Sequence, residues 1–241
     1  AIKEAKLFGN VNVVASSKDK NHSYIVKDFT VPADSKYLHY TTNNTVEGTE
    51  WHHIPETNVP LVADMSSDIF SRPFDFSKFG LIYAGAQKNM GAAGVNLIVV
   101  RKDVLGKVKR PIPSIMDYRN HIEADSLLNT PPVFAVYVAL LTLRWIKKEG
   151  GLAEIEKRAK ERADLFYGTL DSLPFYTPIV AKEDRSLMNA TFSLQQPELE
   201  KEFLDLCKEN GMVGVKGHRS VGGLRVSMYN ALPLSRVNEI C

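Results

Sequence analysis

The sequence predicts an α/β fold, with a mainly parallel central sheet and flanking helices, followed by a smaller α+β C-terminal domain. Three observations carry this reading. Five short apolar segments in the first half are rich in β-branched or aromatic residues and nearly continuous in apolarity, as strands buried on both faces are. A long apolar helix pattern follows and closes at Gly150-Gly151. Beyond Pro174 the pattern changes to strand, helix, strand.

At the N-terminus, Ile2, Ala5 and Leu7 are interspersed with Lys3, Glu4 and Lys6, as in the closing turns of an amphipathic helix, and Gly9-Asn10 supplies the stop. The strand segments are VNVVAS (11–16), YLHYTT (37–42), PLVADMS (60–66), GLIYAGA (80–86) and VNLIVVR (95–101). Residues 132–149 read as a helix ending in Arg144, Trp145 and Lys147. A membrane span takes about 18 or more apolar residues, so this segment is expected to be a buried core helix. The next helix sets Leu152, Ile155, Ala159, Ala163, Phe166 and Leu170 on one stripe. Glu154, Lys157, Arg158, Lys160 and Glu161 lie on its solvated face.

MNATFSL (188–194), PELEKEFLDLCKEN (197–210) and GLRVSMY (223–229) complete the small unit as strand, helix and strand. PLSRVNEIC reads as a helix just begun, with Pro233 in its first turn. The junction at Gly150-Gly151 divides the chain into 1–150 and 151–241. Both ends read as cut through helices, so the chain is expected to be an internal piece of a longer protein.

Composition narrows the function classes. The 241 residues are 44% hydrophobic and 24% charged, near the globular average, which excludes a disordered or low-complexity chain. The 30 Lys and Arg against 28 Asp and Glu leave +2, so charge argues for neither nucleic acid nor membrane partners. Cys207 and Cys241 make no disulfide framework, and the expected compartment is a reducing cytoplasm. Trp51-His52-His53 suggests a metal, but adjacent histidines on a strand point to opposite faces and no third ligand lies nearby, so no metal is expected. The sequons at Asn21, Asn43 and Asn189 read as chance. Cys207, among Phe203 and Leu204, reads as a packed thiol.

The chemistry concentrates in three places. Asp64 ends one strand in PLVADMSSD, and Lys88 follows the next in GLIYAGAQKNMGAAG. Open α/β sheets bind ligands beyond the carboxyl ends of their strands, so this acid and this lysine can face one crevice. An aspartate beside a lysine suits pyridoxal phosphate chemistry: the lysine forms a Schiff base and the carboxylate keeps the pyridine nitrogen protonated. The two alone are equally compatible with a loop cap and a solvated lysine. The third place is KGHRSVGGLRVSMYNALP (216–233), where His218, Arg219 and Arg225 lie among Gly217, Gly222 and Gly223. Arginine forks match carboxylate and phosphate, although a hairpin turn with solvated charges fits the segment as well.

Together with HYTTNNTVEGTEW (39–51) and SLLNTPP (126–132), these segments resemble the phosphoserine aminotransferases, a family of fold-type-I pyridoxal phosphate enzymes. The similar stretches span nearly the whole chain in the family's order, and GAQKN with GHRSVGGLR is far more specific than a lone Asp–Lys pair. The resemblance implies that Lys88 is the Schiff-base lysine and moves the proton at the substrate Cα. It implies that Asp64 pairs with the pyridine nitrogen, Thr45 bonds the phenolic oxygen and Gln87 contacts the cofactor phosphate. Asn129 and Thr130 would reach the phosphate of the other subunit's cofactor, which makes the expected form a homodimer with shared sites. Arg225 would hold the substrate α-carboxylate, and His218 and Arg219 the substrate phosphate. Cysteine desulfurases of this fold place a histidine before the lysine, and Gln87 disfavours that chemistry.

The implied reaction is a two-half transamination in serine biosynthesis. Glutamate gives its amino group and leaves as 2-oxoglutarate; 3-phosphohydroxypyruvate takes the group and leaves as O-phosphoserine. A role in pyridoxine biosynthesis accompanies this activity in some family members. The family's N-terminal portion, with a stacking aromatic, a glycine-rich phosphate cradle and a further arginine, has no counterpart in these residues. Two alternatives stand beside this expectation: a related pyridoxal phosphate aminotransferase for another small amino acid, and an inactive fragment of the fold.

Overall fold

A computed structural model describes all 241 residues. After a short helix α1 (Ile2–Ala5), the chain runs to a four-stranded sheet of β1 (Leu38–Thr41), β2 (Leu61–Asp64), β3 (Leu81–Gly85) and β4 (Asn96–Val100), in that order across the sheet. β1, β2 and β3 are parallel, and β4 returns antiparallel to β3. The reason is connection length. Residues 86–95 are too few for a parallel crossover, which takes about a dozen or more. The sheet is therefore mixed, within the expected α/β class.

Residues 11–16 are a correction: they form no strand. Their apolar side chains are divided instead, with Val14 packed against the sheet's core and Val13 exposed. That core is formed by Leu38, Leu61, Ala63, Met65, Ile69, Ile82, Ala84 and their neighbours.

Helix α2 (Tyr118–Glu123) is capped by Asp117, whose carboxylate accepts from the Arg119 N–H at 3.0 Å. The apolar helix is α3 (Val133–Lys148), and here too the expectation is corrected. Only Ala135, Ala139 and Ile146 are buried, while Val133, Phe134 and Tyr137 are 70%, 75% and 55% exposed. The small side of the helix meets the sheet unit. Gly91, at φ +152°, approaches so closely that an added Cβ would lie 3.1 Å from the Ala139 nitrogen. The large apolar side faces outward.

Helix α4 (Gly151–Ser172) follows the turn at Gly150, whose φ is +109°. The expected stripe is buried at Ile155, Ala159, Ala163, Phe166 and Leu170, whereas Leu152 is only half-buried. On the outer face, Arg158 pairs with Glu154 and Lys160 with Glu156. The small sheet contains β5 (Tyr176–Pro178), β6 (Asn189–Leu194) and β7 (Leu224–Ser227), antiparallel in that order. β5 escapes sequence reading because it is three residues long and ends in proline.

Helix α5 (Glu200–Glu209) buries Cys207, and α6 (Leu234–Ile240) buries Val237. Phe166, Tyr176, Phe192 and Phe203 interlock edge to face with centroids 5.6–6.4 Å apart, which orients α4, α5 and the small sheet around one second core. No helix is long and apolar enough to cross a membrane.

Candidate active site

The parallel strands end together, and the polar residues gather beyond their carboxyl ends. Asp64 is the last residue of β2, Lys88 lies three residues past β3, and Thr45 lies in the loop after β1. The Ser66 N–H donates to Asp64 Oδ1 at 2.9 Å, and Ser66 Oγ accepts from the Gly85 N–H at 3.1 Å. These two bonds tie the ends of β2 and β3 together. Gln87 is exposed and folds back over Gly85, where a Cβ would lie 2.4 Å from its Oε1.

Lys88 Nζ donates to Thr45 Oγ1, and Arg225, from β7 of the small sheet, donates from Nη1 to the Thr45 carbonyl at 3.2 Å. Thr45 thus joins a lysine from the large sheet to an arginine from the small one. Burial holds the Lys88 amine below its ordinary range; the Asp64 charge opposes this and the Arg225 charge adds to it. Arg225 Nε is buried and has no partner. A partly desolvated amine among a carboxylate, a hydroxyl and an arginine with spare donors is suited to binding an anionic amine or carbonyl compound.

The frame of this cluster lies outside the motifs read from sequence. Asn43 Nδ2 donates to Ser67 Oγ and to Asn189 Oδ1, both at 2.9 Å, and its Oδ1 accepts from Ser186 Oγ. Asn89, next to Lys88, accepts from the Asn230 N–H at 3.0 Å. Asn43 and Asn189 are two of the sequon asparagines; they meet across 146 residues, which no local pattern signals. Beneath Thr42 lie the buried carboxylates Asp68 and Glu50 and the half-buried Arg72, with Arg72 Nη2 3.4 Å from Glu50 and 3.7 Å from Asp68.

The remaining predicted residues stand apart from this cluster. Asn129 and Thr130 are exposed ahead of α3, with Asn129 Nδ2 donating to the Thr130 carbonyl at 3.2 Å. His218 and Arg219 are exposed on the turn before β7, where His218 Nδ1 bonds Ser220 Oγ at 2.7 Å. His52 bonds the Arg185 carbonyl at 3.0 Å, and His53 packs edge-on against Trp51.

A mixed sheet with a lysine and an aspartate at adjoining strand ends, completed by an arginine from a second unit, is the arrangement of a class-V aminotransferase. The family described as Aminotransferase class-V matches residues 1–240, and the chain belongs to it. Among curated relatives, phosphoserine aminotransferase of Flavobacterium johnsoniae is 56% identical over 240 residues, covering 100% of this chain and 67% of its own length. The solved phosphoserine aminotransferase of Bacillus circulans subsp. alkalophilus superposes with a TM-score of 0.96 at 44% identity, over 99% of this chain and 67% of that one. The PLP-bound phosphoserine aminotransferase of Trichomonas vaginalis gives 0.94 at 35% identity, over 99% and 70%.

The family implies pyridoxal phosphate, and the residues present fit it. Lys88 offers an amine made available by burial, Asp64 a carboxylate at the adjoining strand end, and Arg225 a buried Nε awaiting a partner.

Proposed function

We propose that this site transfers an amino group between O-phosphoserine with 2-oxoglutarate and 3-phosphohydroxypyruvate with glutamate, in serine biosynthesis. The observation that carries the reading is the Lys88–Thr45–Arg225 cluster at the strand ends, in a chain closely related to phosphoserine aminotransferases.

Bound pyridoxal phosphate would supply an aldehyde to carry the amino group and a ring to accept the electrons of the broken Cα–H bond. Lys88 Nζ would take the proton from the substrate Cα and return one on the opposite half of the cycle. Its lowered proton affinity is what this base role needs. Asp64 would face the ring nitrogen, with its carboxylate already held by the Ser66 N–H. Thr45 would bond the phenolic oxygen, and Gln87 would contact the cofactor phosphate.

Arg225 would clamp the α-carboxylate, since its guanidinium is anchored through Nη1 and keeps Nε free. His218 and Arg219, free of protein partners other than Ser220, would take the substrate phosphate. Holding both ends of the substrate orients the Cα–H bond toward Lys88, and such positioning supplies a large part of an enzyme's rate.

The working form would be a cytoplasmic homodimer. Asn129 and Thr130 would reach the partner's cofactor phosphate, and the neighbouring exposed Phe134 and Tyr137 would be covered by the second copy. Residues 1–150 would form the cofactor-binding domain and 151–241 the small domain. Steady-state turnover of O-phosphoserine with 2-oxoglutarate, read as glutamate formed, tests the proposal. Glutamate should appear in the wild-type reaction and be lost in Lys88→Ala; equal rates in both would refute it.

A further inference from the structure

A polar pair on the large sheet has no part in the scheme above. β1 and β2 are in register with His39 opposite Val62 and Thr41 opposite Asp64, while β2 and β3 place Asp64 opposite Tyr83. Side chains of residues two apart on a strand share a face, so His39, Asp64 and Tyr83 project from the same side of the sheet. His39 Nε2 lies 3.0 Å from Tyr83 Oη. The two rings stack with centroids 6.0 Å apart and planes at 25°, bridging over β2 beside Asp64.

We infer that His39 and Tyr83 form a relay that fixes the Asp64 carboxylate for the cofactor's ring nitrogen, making both of them positioning residues of the reaction. This rests on the reading of Asp64 proposed above. Direction follows from donor counting. A phenol has one proton, and a carboxylate accepts it more strongly than a neutral ring nitrogen does. In this relay the Tyr83 phenol directs its one proton at Asp64, its register partner on β2, and His39, as the tautomer carrying its proton on Nε2, donates to Tyr83 Oη.

Both ends of the relay keep their protons for physical reasons. Burial pushes the Tyr83 phenol up to about 12, and the Asp64 charge adds to it. Burial lowers His39 against the pull of Asp64 and keeps the imidazole neutral. The Ser66 N–H already holds Oδ1, and the phenol across from Asp64 would be the carboxylate's second donor.

The test is binding rather than turnover. The apo full chain is titrated with pyridoxal phosphate and with the analogue in which carbon replaces the ring nitrogen, in wild type, Tyr83→Phe, His39→Leu and Asp64→Asn. If the relay acts through Asp64, Tyr83→Phe raises the Kd for pyridoxal phosphate about tenfold and leaves that for the analogue unchanged. His39→Leu shifts it in the same direction by less, and it stands in for Tyr83→Phe if that variant misfolds. Equal losses for both ligands would mean a merely structural role, and no loss would mean none; either overturns the relay. If Asp64→Asn discriminates between the ligands and the relay variants do not, the relay alone fails. If Asp64→Asn does not discriminate, the reading of Asp64 fails and the relay with it.

Discussion

Arg225 donates to the Thr45 carbonyl at 3.2 Å across 180 residues of sequence, and through it the small sheet takes part in the site built by the large one. With Arg225 in the proposed role, substrate specificity would be coupled to how the two sheets are held together. Arg225→Lys keeps the charge but loses the planar fork and its free Nε. We expect kcat/KM for phosphoserine to fall about 10- to 100-fold, mainly through KM, since hydrogen bonds to charged groups contribute about 1.5–3 kcal/mol. Initial-rate kinetics check this.

Arg219 is exposed and anchors nothing in the fold, so its loss should act on substrate alone. Arg219→Ala should lower kcat/KM for O-phosphoserine by about 10- to 100-fold, one charge-assisted anion contact being lost. Its effect on an unphosphorylated amino donor should stay within about threefold, the size of an ordinary surface change. Equal losses on both would remove the phosphate role.

Asn43 ties Ser67 of the large unit to Ser186 and Asn189 of the small one while fully buried. Asn43→Ala leaves several buried partners unsatisfied at once, at a cost of about 1–3 kcal/mol each before relaxation. Thermal unfolding should show a drop of several degrees in Tm. Exposed Lys157→Ala should show almost none, because its long surface pair with Glu161 contributes little.

Asp68 gives the fold a pH signature. Burial pushes its carboxyl up to about 7, the Glu50 charge adds to this, and the bond from Thr42 and the Arg72 charge oppose it. In the unfolded chain the same carboxyl titrates near about 4. Between these values the folded state binds more protons than the unfolded one, so stability falls as pH rises from about 4 to about 7 and then levels. Asp68→Asn can still accept from Thr42 and has nothing to ionise. Tm measured across this range should decline less in the variant than in the wild type.

Much of the site was legible because its residues follow recognisable local patterns. Asp64 and Lys88 close runs of β-branched and aromatic residues, and parallel strand ends are where such groups converge. Arg225 announced itself by the glycine-rich turn before it. Thr45 was marked only by family resemblance, and its bonds to both Lys88 and Arg225 are long-range facts that no spacing encodes.

The same limit hid Asn43 and Asn189, which look like ordinary loop and strand polars until the two sheets meet. It hid Asp68 as well, whose significance comes from its burial beside Arg72. Apolarity misled in two places. VNVVAS lacks a neighbouring strand to pair with and stays irregular, and α3 turns its large side chains outward while Ala139 meets Gly91 and Ala135 meets Gly94. Hydrophobic pattern tells which residues seek cover but not which surface provides it.

In the proposed function Lys88 moves the Cα proton of phosphoserine in a site that stores the amino group. A single-turnover experiment tests it most directly: holoenzyme is mixed with O-phosphoserine and no oxo acid, following cofactor absorbance and released 3-phosphohydroxypyruvate together. One equivalent of oxo acid per site should appear in step with the spectral change, and Lys88→Ala should release none. An unchanged spectrum at saturating O-phosphoserine, or release that persists in Lys88→Ala, would contradict the account.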